Sequence, residues 1–302
     1  MSRKNKGTAR HGWIILDKPP GLTSTQALGK VRHLLDAQKA GHGGTLDPMA
    51  TGVLPLAFGE ATKLIPFVMD GHKTYSCTIG WGESRDTEDA EGQITATSPI
   101  RPDRNAILAA LPRFIGTIRQ TPPIYSALKI DGVRAYDLAR AGTAPEMTPR
   151  DVQIFDFQLL SIDNPDHASL RIRCGKGTYI RALARDLALA LGTVGHLTAL
   201  RREQSGPFTL QQAISLENLA ALAHKGEALT ALRPIAAALD DIPAHAIDDQ
   251  EAHRLRHGQA IAARPDEDGT QFPTMLATHH GQPVALIARR DGHWQPIRGF
   301  NL

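Results

Sequence analysis

The chain is 302 residues long, carries a formal net charge of +3, and is 41% hydrophobic and 22% charged but only 5% aromatic. That balance excludes a largely disordered chain, and the length permits one large domain plus a small one, with cores built mainly from Leu, Ile, Val and Ala. No apolar run approaches the roughly 18–20 residues that span a bilayer, and two distant cysteines, Cys77 and Cys174, cannot form a four-thiolate zinc site; the expectation is a cytoplasmic protein with reduced, structural thiols.

In chain order, residues 1–10 are basic and read as a disordered arm, because the WIIL run after them is too short for a signal-peptide core. Residues 13–16 form a short strand, closed by the Pro and Gly of DKPPG. Thr23-Ser24-Thr25 offers caps for a helix to residue 35. The glycine-rich GHGGTLDPMATG follows, then a strand at 75–81, an acidic loop or hairpin end at 83–93 and a helix at 104–111. QTPPIYSALKIDG reads as a loop leading into a strand or helix. Residues 152–162 and 169–174 alternate as strands. Apolar residues at 180, 183, 184, 187, 188 and 191 share one helical face, with Thr178 as the expected cap and Gly192 as the stop. An Ala/Leu-rich helical stretch covers 216–241. After residue 242, a short helix at 249–256 and strands at 274–278, 284–289 and 294–300, with turns at His280-Gly281 and Asp291-Gly292, predict a small β-barrel. The domains are therefore expected at 11–241 and 243–302.

The segment at 41–63 draws most attention. It lacks the Gly-Lys-Ser/Thr ending of a phosphate-binding P-loop and the GxGxxG spacing of a dinucleotide site, and His42 with Asp47 has no further metal ligands nearby. What remains is one carboxylate, Asp47, placed before Pro48 in a compact glycine loop. On these residues alone an active-site loop and a plain surface turn both stand.

The full string resembles the defining motif of the TruB family of pseudouridine synthases. The resemblance extends through Lys18-Pro19 with Gly21 and Thr23-Ser24, Lys73-x-Tyr75, Tyr125-Ser126-Ala127-Leu128-Lys129, the run from Gly175 to Arg181, Leu200-Arg201-Arg202 and Gly206-Pro207-Phe208. The C-terminal segment is weakly similar to a PUA domain at Gly258-Gln259-Ala260-Ile261 and at Pro296-Ile297-Arg298-Gly299-Phe300. Two positions depart from the family pattern: Gly43, where many members carry threonine, and Arg85, where threonine is usual.

The resemblance implies an α+β fold, a mixed and largely antiparallel sheet flanked by helices, with a PUA-like β-barrel at the end. It implies isomerisation of a T-loop uridine of tRNA (position 55), with Asp47 as nucleophile at C1′ or C6, and with no metal or organic cofactor. A carboxylate suits attack where oxocarbenium character develops. Arg181 would hold that carboxylate, and Tyr75 would stack on the base and help remove the C5 proton. Tyr179 and Leu200 would shape the pocket. His42 would fill the space left by the flipped base or brace the loop. Lys18, Lys63, Arg201 and Arg202 are candidates for tRNA phosphates or for bracing the loop. The barrel would meet the acceptor-stem side. The chain is expected to work as a monomer without an obligate protein partner. Two alternatives are a guide-RNA-dependent pseudouridylase, disfavoured by the lack of a lysine-rich tail, and a tRNA-folding chaperone with catalysis secondary.

Overall fold

The computed structural model describes residues 7–130, 132–143, 145–239, 242–263 and 274–302. Most of the expected basic arm, residues 1–6, lies outside them, as do residues 240–241 just before the domain join expected near residue 242. Eight strands form the backbone of the main sheet: β1 (Gly12–Lys18), β2 (Thr51–Phe58), β3 (Lys73–Trp81), β4 (Gly116–Gln120), β5 (Arg150–Asn164), β6 (His167–Cys174), β7 (Gly195–Ser205) and β8 (Ile214–Ser215). Their spatial order is β8-β1-β2-β7-β3-β6-β5-β4, with Ala40–His42 added beside β2 and Phe208–Thr209 beside β7. Only the β8–β1 and β2–β7 pairings on this path are parallel, so the sheet is mixed and largely antiparallel, as expected.

Helices form at 24–34 and 180–190, where the pattern places them, and a short one at 65–70 was not expected. Helix α1 (Ser24–Leu34) begins with a complete capping box, the Thr23 hydroxyl accepting from Gln26 N and the Gln26 side chain accepting from Thr23 N. Helix α2 (Ile65–Asp70) is short and carries Pro66 in its first turn. Helix α3 (Ile180–Ala190) buries Ile180, Leu183, Ala184, Leu187 and Ala188 in the main core, and Gly192 ends it in the left-handed region at φ +73°. Thr178 does not cap it. Its hydroxyl turns back to Gly175 O, and the buried Gln120 side chain clamps the Tyr179 backbone instead, accepting from Tyr179 N at 2.9 Å and donating to Tyr179 O at 3.1 Å.

Two further expectations need correction. The helix expected over 216–241 ends as α4 (Leu216–His224), because Gly226 takes φ +77° and Pro234 prevents continuation; two short 3-10 turns follow. Strand β2 was not anticipated, since Pro55 lies in its middle. The Pro55 carbonyl accepts from Gly43 N at 2.8 Å and so ties the glycine loop to the strand.

The C-terminal module contains β9 (Ala244–Ala246), helix α5 (Asp249–Arg256), β10 (Ile261–Ala262), β11 (Thr274–His279), β12 (Gln282–Arg290) and β13 (His293–Gly299). Its sheet order is β9-β11-β12-β13-β10, a curled half-barrel of the PUA-like kind. It has its own cluster around Trp294, Ile287 and Ala252, but Leu276, Leu286 and Phe300 join Trp13, Val53, Leu64 and Phe208 in a second cluster shared with the main domain. Polar contacts close the same seam: Glu60 accepts from Lys63 Nζ at 2.6 Å and from Asn301 N at 2.9 Å, and Lys63 also donates to Gly299 O.

Because that cluster is shared, the two modules are expected to unfold together. Phe300→Ala should lower the unfolding free energy by about 3–5 kcal/mol in urea titration, with the wild type showing one transition; two separate wild-type transitions would count against a shared core.

Candidate active site

Asp47 is placed by a loop braced from several directions. The loop leaves Ala40–His42 and enters β2 at Thr51. A Cβ built on Gly43 would stand 3.0 Å from the Val68 side chain, so a threonine here would need Val68 to give way by a few tenths of an ångström. At Gly52, where φ is +97°, a Cβ would meet the Arg202 carbonyl oxygen at 2.2 Å, so only glycine lets β2 pass β7 this closely. Ser24, 2% exposed at the start of α1, donates to Leu46 O at 3.1 Å and accepts from Leu46 N at 2.8 Å. It thereby fixes the residue before Asp47.

Buried cations complete the brace. Lys18 has no exposed surface; its ammonium donates to Pro19 O, Leu22 O and Pro48 O at 2.9, 2.7 and 3.2 Å. Burial lowers its pKa to about 8, against the attraction of Asp47 and Glu91. Arg202, 1% exposed, donates to Val53 O at 2.7 Å, Gly44 O at 3.1 Å and Thr45 O at 3.4 Å. Lys73 donates to Val68, Met69 and Gly71 carbonyls at the end of α2, favourable company for a cation, and burial also lowers it to about 8.

The loop borders a pocket of about 300 Å³, the small end of the range for ligand sites. Asp47, Tyr75, Tyr179, Arg181, Leu200 and Arg202 all line it. Arg181, 4% exposed, donates from Nε to Asp47 Oδ2 at 2.9 Å, from Nη1 to Thr87 O at 2.7 Å and from Nη2 to Tyr125 O at 2.8 Å. The buried Asp89 carboxylate lies 3.6 Å from the same Nε. Asp47 retains a side chain 34% exposed, so its carboxylate is held yet open to the pocket. Tyr75 sits across the sheet from Arg202 on one side and Ile172 on the other. Burial raises its phenol pKa, with Arg202 pulling the other way. The Arg150 guanidinium lies 5.2 Å from the Tyr179 ring centre.

Four expected residues lie outside the pocket lining. His42 pairs with Leu56 at the edge of β2, and its Nδ1 is buried without a hydrogen-bond partner among the described residues; burial lowers its pKa. Lys63 belongs to the seam with the C-terminal module. Arg201 makes a two-point pair with Asp17 at 3.0 and 2.8 Å. Lys18 lies beneath the loop. Of the two roles open to the motif cations, phosphate contact is therefore closed to Lys18 and Arg202, which have almost no surface, and bracing is what their geometry provides.

Sequence reading missed Asp89, Gln120 and the Thr87 carbonyl. The acidic run at 83–93 signalled a polar loop, but nothing in one sequence says which of its carboxylates turns inward. Arg85, the other departure from the family pattern, donates to Glu83 Oε2 at 2.9 Å and Gly92 O at 3.0 Å and so closes that hairpin. Among the described residues the one group of side chains that could converge on a metal is Asp249, His279 and His280 in the C-terminal module, none of which lines the pocket.

Residues 32–180 match the TruB family pseudouridylate synthase N-terminal domain, and residues 181–242 match the tRNA pseudouridylate synthase B C-terminal domain. The chain is 52% identical to tRNA pseudouridine synthase B of Rhodospirillum rubrum and 49% identical to that of Caulobacter vibrioides, with 100% of each chain covered in both cases. Among solved structures it is similar to a chain of a Cbf5-Nop10-Gar1 complex, with a TM-score of 0.70 and 27% identity, covering 93% of this chain and 78% of that one. With full-length relatives at this identity, the chain belongs to the TruB family of pseudouridylate synthases.

Proposed function

We propose that the protein isomerises uridine to pseudouridine in the T loop of tRNA, at position 55, with Asp47 as nucleophile. The observation that carries this reading is a single carboxylate held by a buried arginine at a nucleoside-sized pocket whose wall includes a tyrosine. The reaction breaks N1–C1′, forms C5–C1′, removes the proton from C5 and leaves one on N1, with no change of oxidation state. Asp47 attacks at C1′ or C6 and carries the substrate covalently while the base turns. Arg181 keeps the carboxylate aimed, so little reorganisation is left for the reactive encounter. Tyr75 faces the base and takes part in removing the C5 proton. The uridine must leave its stack to reach the pocket, at a cost of a few kcal/mol.

Phosphate contacts fit the pocket rim better than its floor. Lys176 lines the pocket with a side chain 70% exposed, and the Asp70 carboxylate it pairs with at 2.8 Å is also open to solvent. Such a pair contributes little to stability and yields readily to a phosphate. The PUA-like module would extend the contact toward the acceptor stem.

Asp47→Asn should abolish pseudouridine formation on an unmodified tRNA transcript while binding persists, and the wild type should work in EDTA. Arg181→Lys keeps the charge but loses the fork of three donors; kcat should fall about a hundredfold, and a fall under threefold would remove Arg181 from the mechanism. Lys176→Ala should reduce the slope of log Kd against log salt by about one, whereas Lys18→Met should leave that slope unchanged. On the alkaline side, a neutral Lys18 amine has two donors for three carbonyls, so kcat should decline above pH about 8; a profile flat to pH 10 would contradict this. Stability should move the other way in that window. From about pH 8 to 10.5 the unfolded chain keeps protons that folded Lys18 and Lys73 have shed, so their contribution rises with pH.

A further inference from the structure

Arg181 and Arg185 are four residues apart on α3, so their side chains leave the same face one turn apart. Both reach the same two segments. Arg181 donates to Thr87 O and Tyr125 O; Arg185 donates to the Glu88 carboxylate and, at 3.0 Å, to Thr121 O. Arg185 is oriented in turn by Asp186, which accepts from its Nε at 2.8 Å. The helix thus grips the 87–89 turn and the 121–125 segment at two points each.

Glu88 is an unexpected residue for its backbone. It takes φ +62°, a left-handed conformation in which glycine, asparagine or aspartate would cost less. Its side chain is 14% exposed against Arg185 at 26%, and one carboxylate oxygen is buried with no hydrogen-bond partner among the described residues. Burial pushes its pKa up while Arg185 pulls it down. A strained backbone and a partly unsatisfied buried carboxylate are both unfavourable locally, so the side chain's partner must justify the glutamate. Glu88 lies between Thr87 and Asp89, the two residues that meet Arg181. Its own carbonyl accepts from Leu197 N at 3.1 Å, which ties the turn to β7.

We propose that Glu88 and Arg185 are a positioning pair for the isomerisation: they lock the 87–89 turn so that the Thr87 carbonyl and the Asp89 carboxylate aim Arg181, and through it Asp47. Neither residue lines the pocket. The inference rests on the reading of Asp47 as nucleophile and adds a second layer behind Arg181. Cutting the pair lets the turn relax, and a small displacement of the guanidinium is passed to the reacting carboxylate.

The test uses full-length protein and unmodified tRNA transcript, with single-turnover rate, tRNA Kd and melting temperature measured together. Glu88→Gly relieves the left-handed backbone, so it removes the carboxylate without adding strain. Glu88→Gly and Arg185→Ala should each slow the single-turnover rate at least tenfold with Kd within twofold, and the double variant should be no slower than either single one. Arg185→Lys should recover part of the loss. Arg101→Gln, which breaks an ion pair with Asp166 outside the pocket lining, should leave the rate unchanged. Rates within twofold of wild type, losses that add in the double variant, or losses that follow melting temperature alone would overturn the pair. If the wild type formed no pseudouridine, the functional reading itself would fail, which is a distinguishable result.

Discussion

A buried guanidinium cannot be left without partners. Removing an arginine from water is expensive, and the cost is met only if its donors find acceptors with good geometry. Arg181 lies at 4% exposure, and its acceptors come from three segments far apart in sequence: the glycine loop through Asp47, the acidic turn through Thr87, and the proline-rich loop through Tyr125. None of the three is a regular element, and among the described residues no strand pairing fixes one of them against the others. Their convergence on one side chain makes the pocket a defined shape. Because Arg181 sits on the first turn of α3, whose apolar face is sealed in the core, the point of convergence is as rigid as the fold.

The same loop is held from beneath by positive charge. Lys18 and Arg202 carry no useful surface; Arg202 directs its donors to the Gly44, Thr45 and Val53 carbonyls, and Lys18 ties Pro48 O to the Pro19 and Leu22 carbonyls. Cations so placed serve two ends at once. They satisfy carbonyls that an irregular buried loop would otherwise leave unpaired, and they set a positive field near Asp47 in a medium that screens weakly. The lowered pKa of Lys18 and Lys73 is the visible cost of that arrangement.

Much of the architecture was legible from the sequence, for physical reasons that differ by element. Helix α3 was readable because a buried helical face repeats its apolar residues at a fixed period, and strands β5 and β6 because they alternate. Strand β2 was hidden by Pro55, and β7 because Leu200-Arg201-Arg202 reads as a charged motif when the strand carrying it is in fact mostly buried. The helix expected over 216–241 is shorter, since composition alone does not show where Gly226 and Pro234 break it. At the site, Asp47 and Arg181 were named from the motif, and the pocket gathers them. Asp89 and Gln120 were not visible, because a carboxylate or amide in a polar segment has the same local pattern whether it points to water or inward.

Burial, rather than charge, separates the cations that can meet RNA from those that hold the loop. A lysine in a motif beside the nucleophile invites assignment to phosphate, but counterion release requires a side chain that solvent, and hence a phosphate, can reach. Lys18 fails that condition and Lys176 meets it, although both lie within the same family resemblance. The argument extends to the net charge of +3, which is too small to announce a nucleic-acid ligand. Several of the positive charges are spent inside the protein against carbonyls and carboxylates, so the sum says little about the surface. What an RNA would meet is set by the few cations left at the rim, arranged around an opening that the buried ones keep in shape.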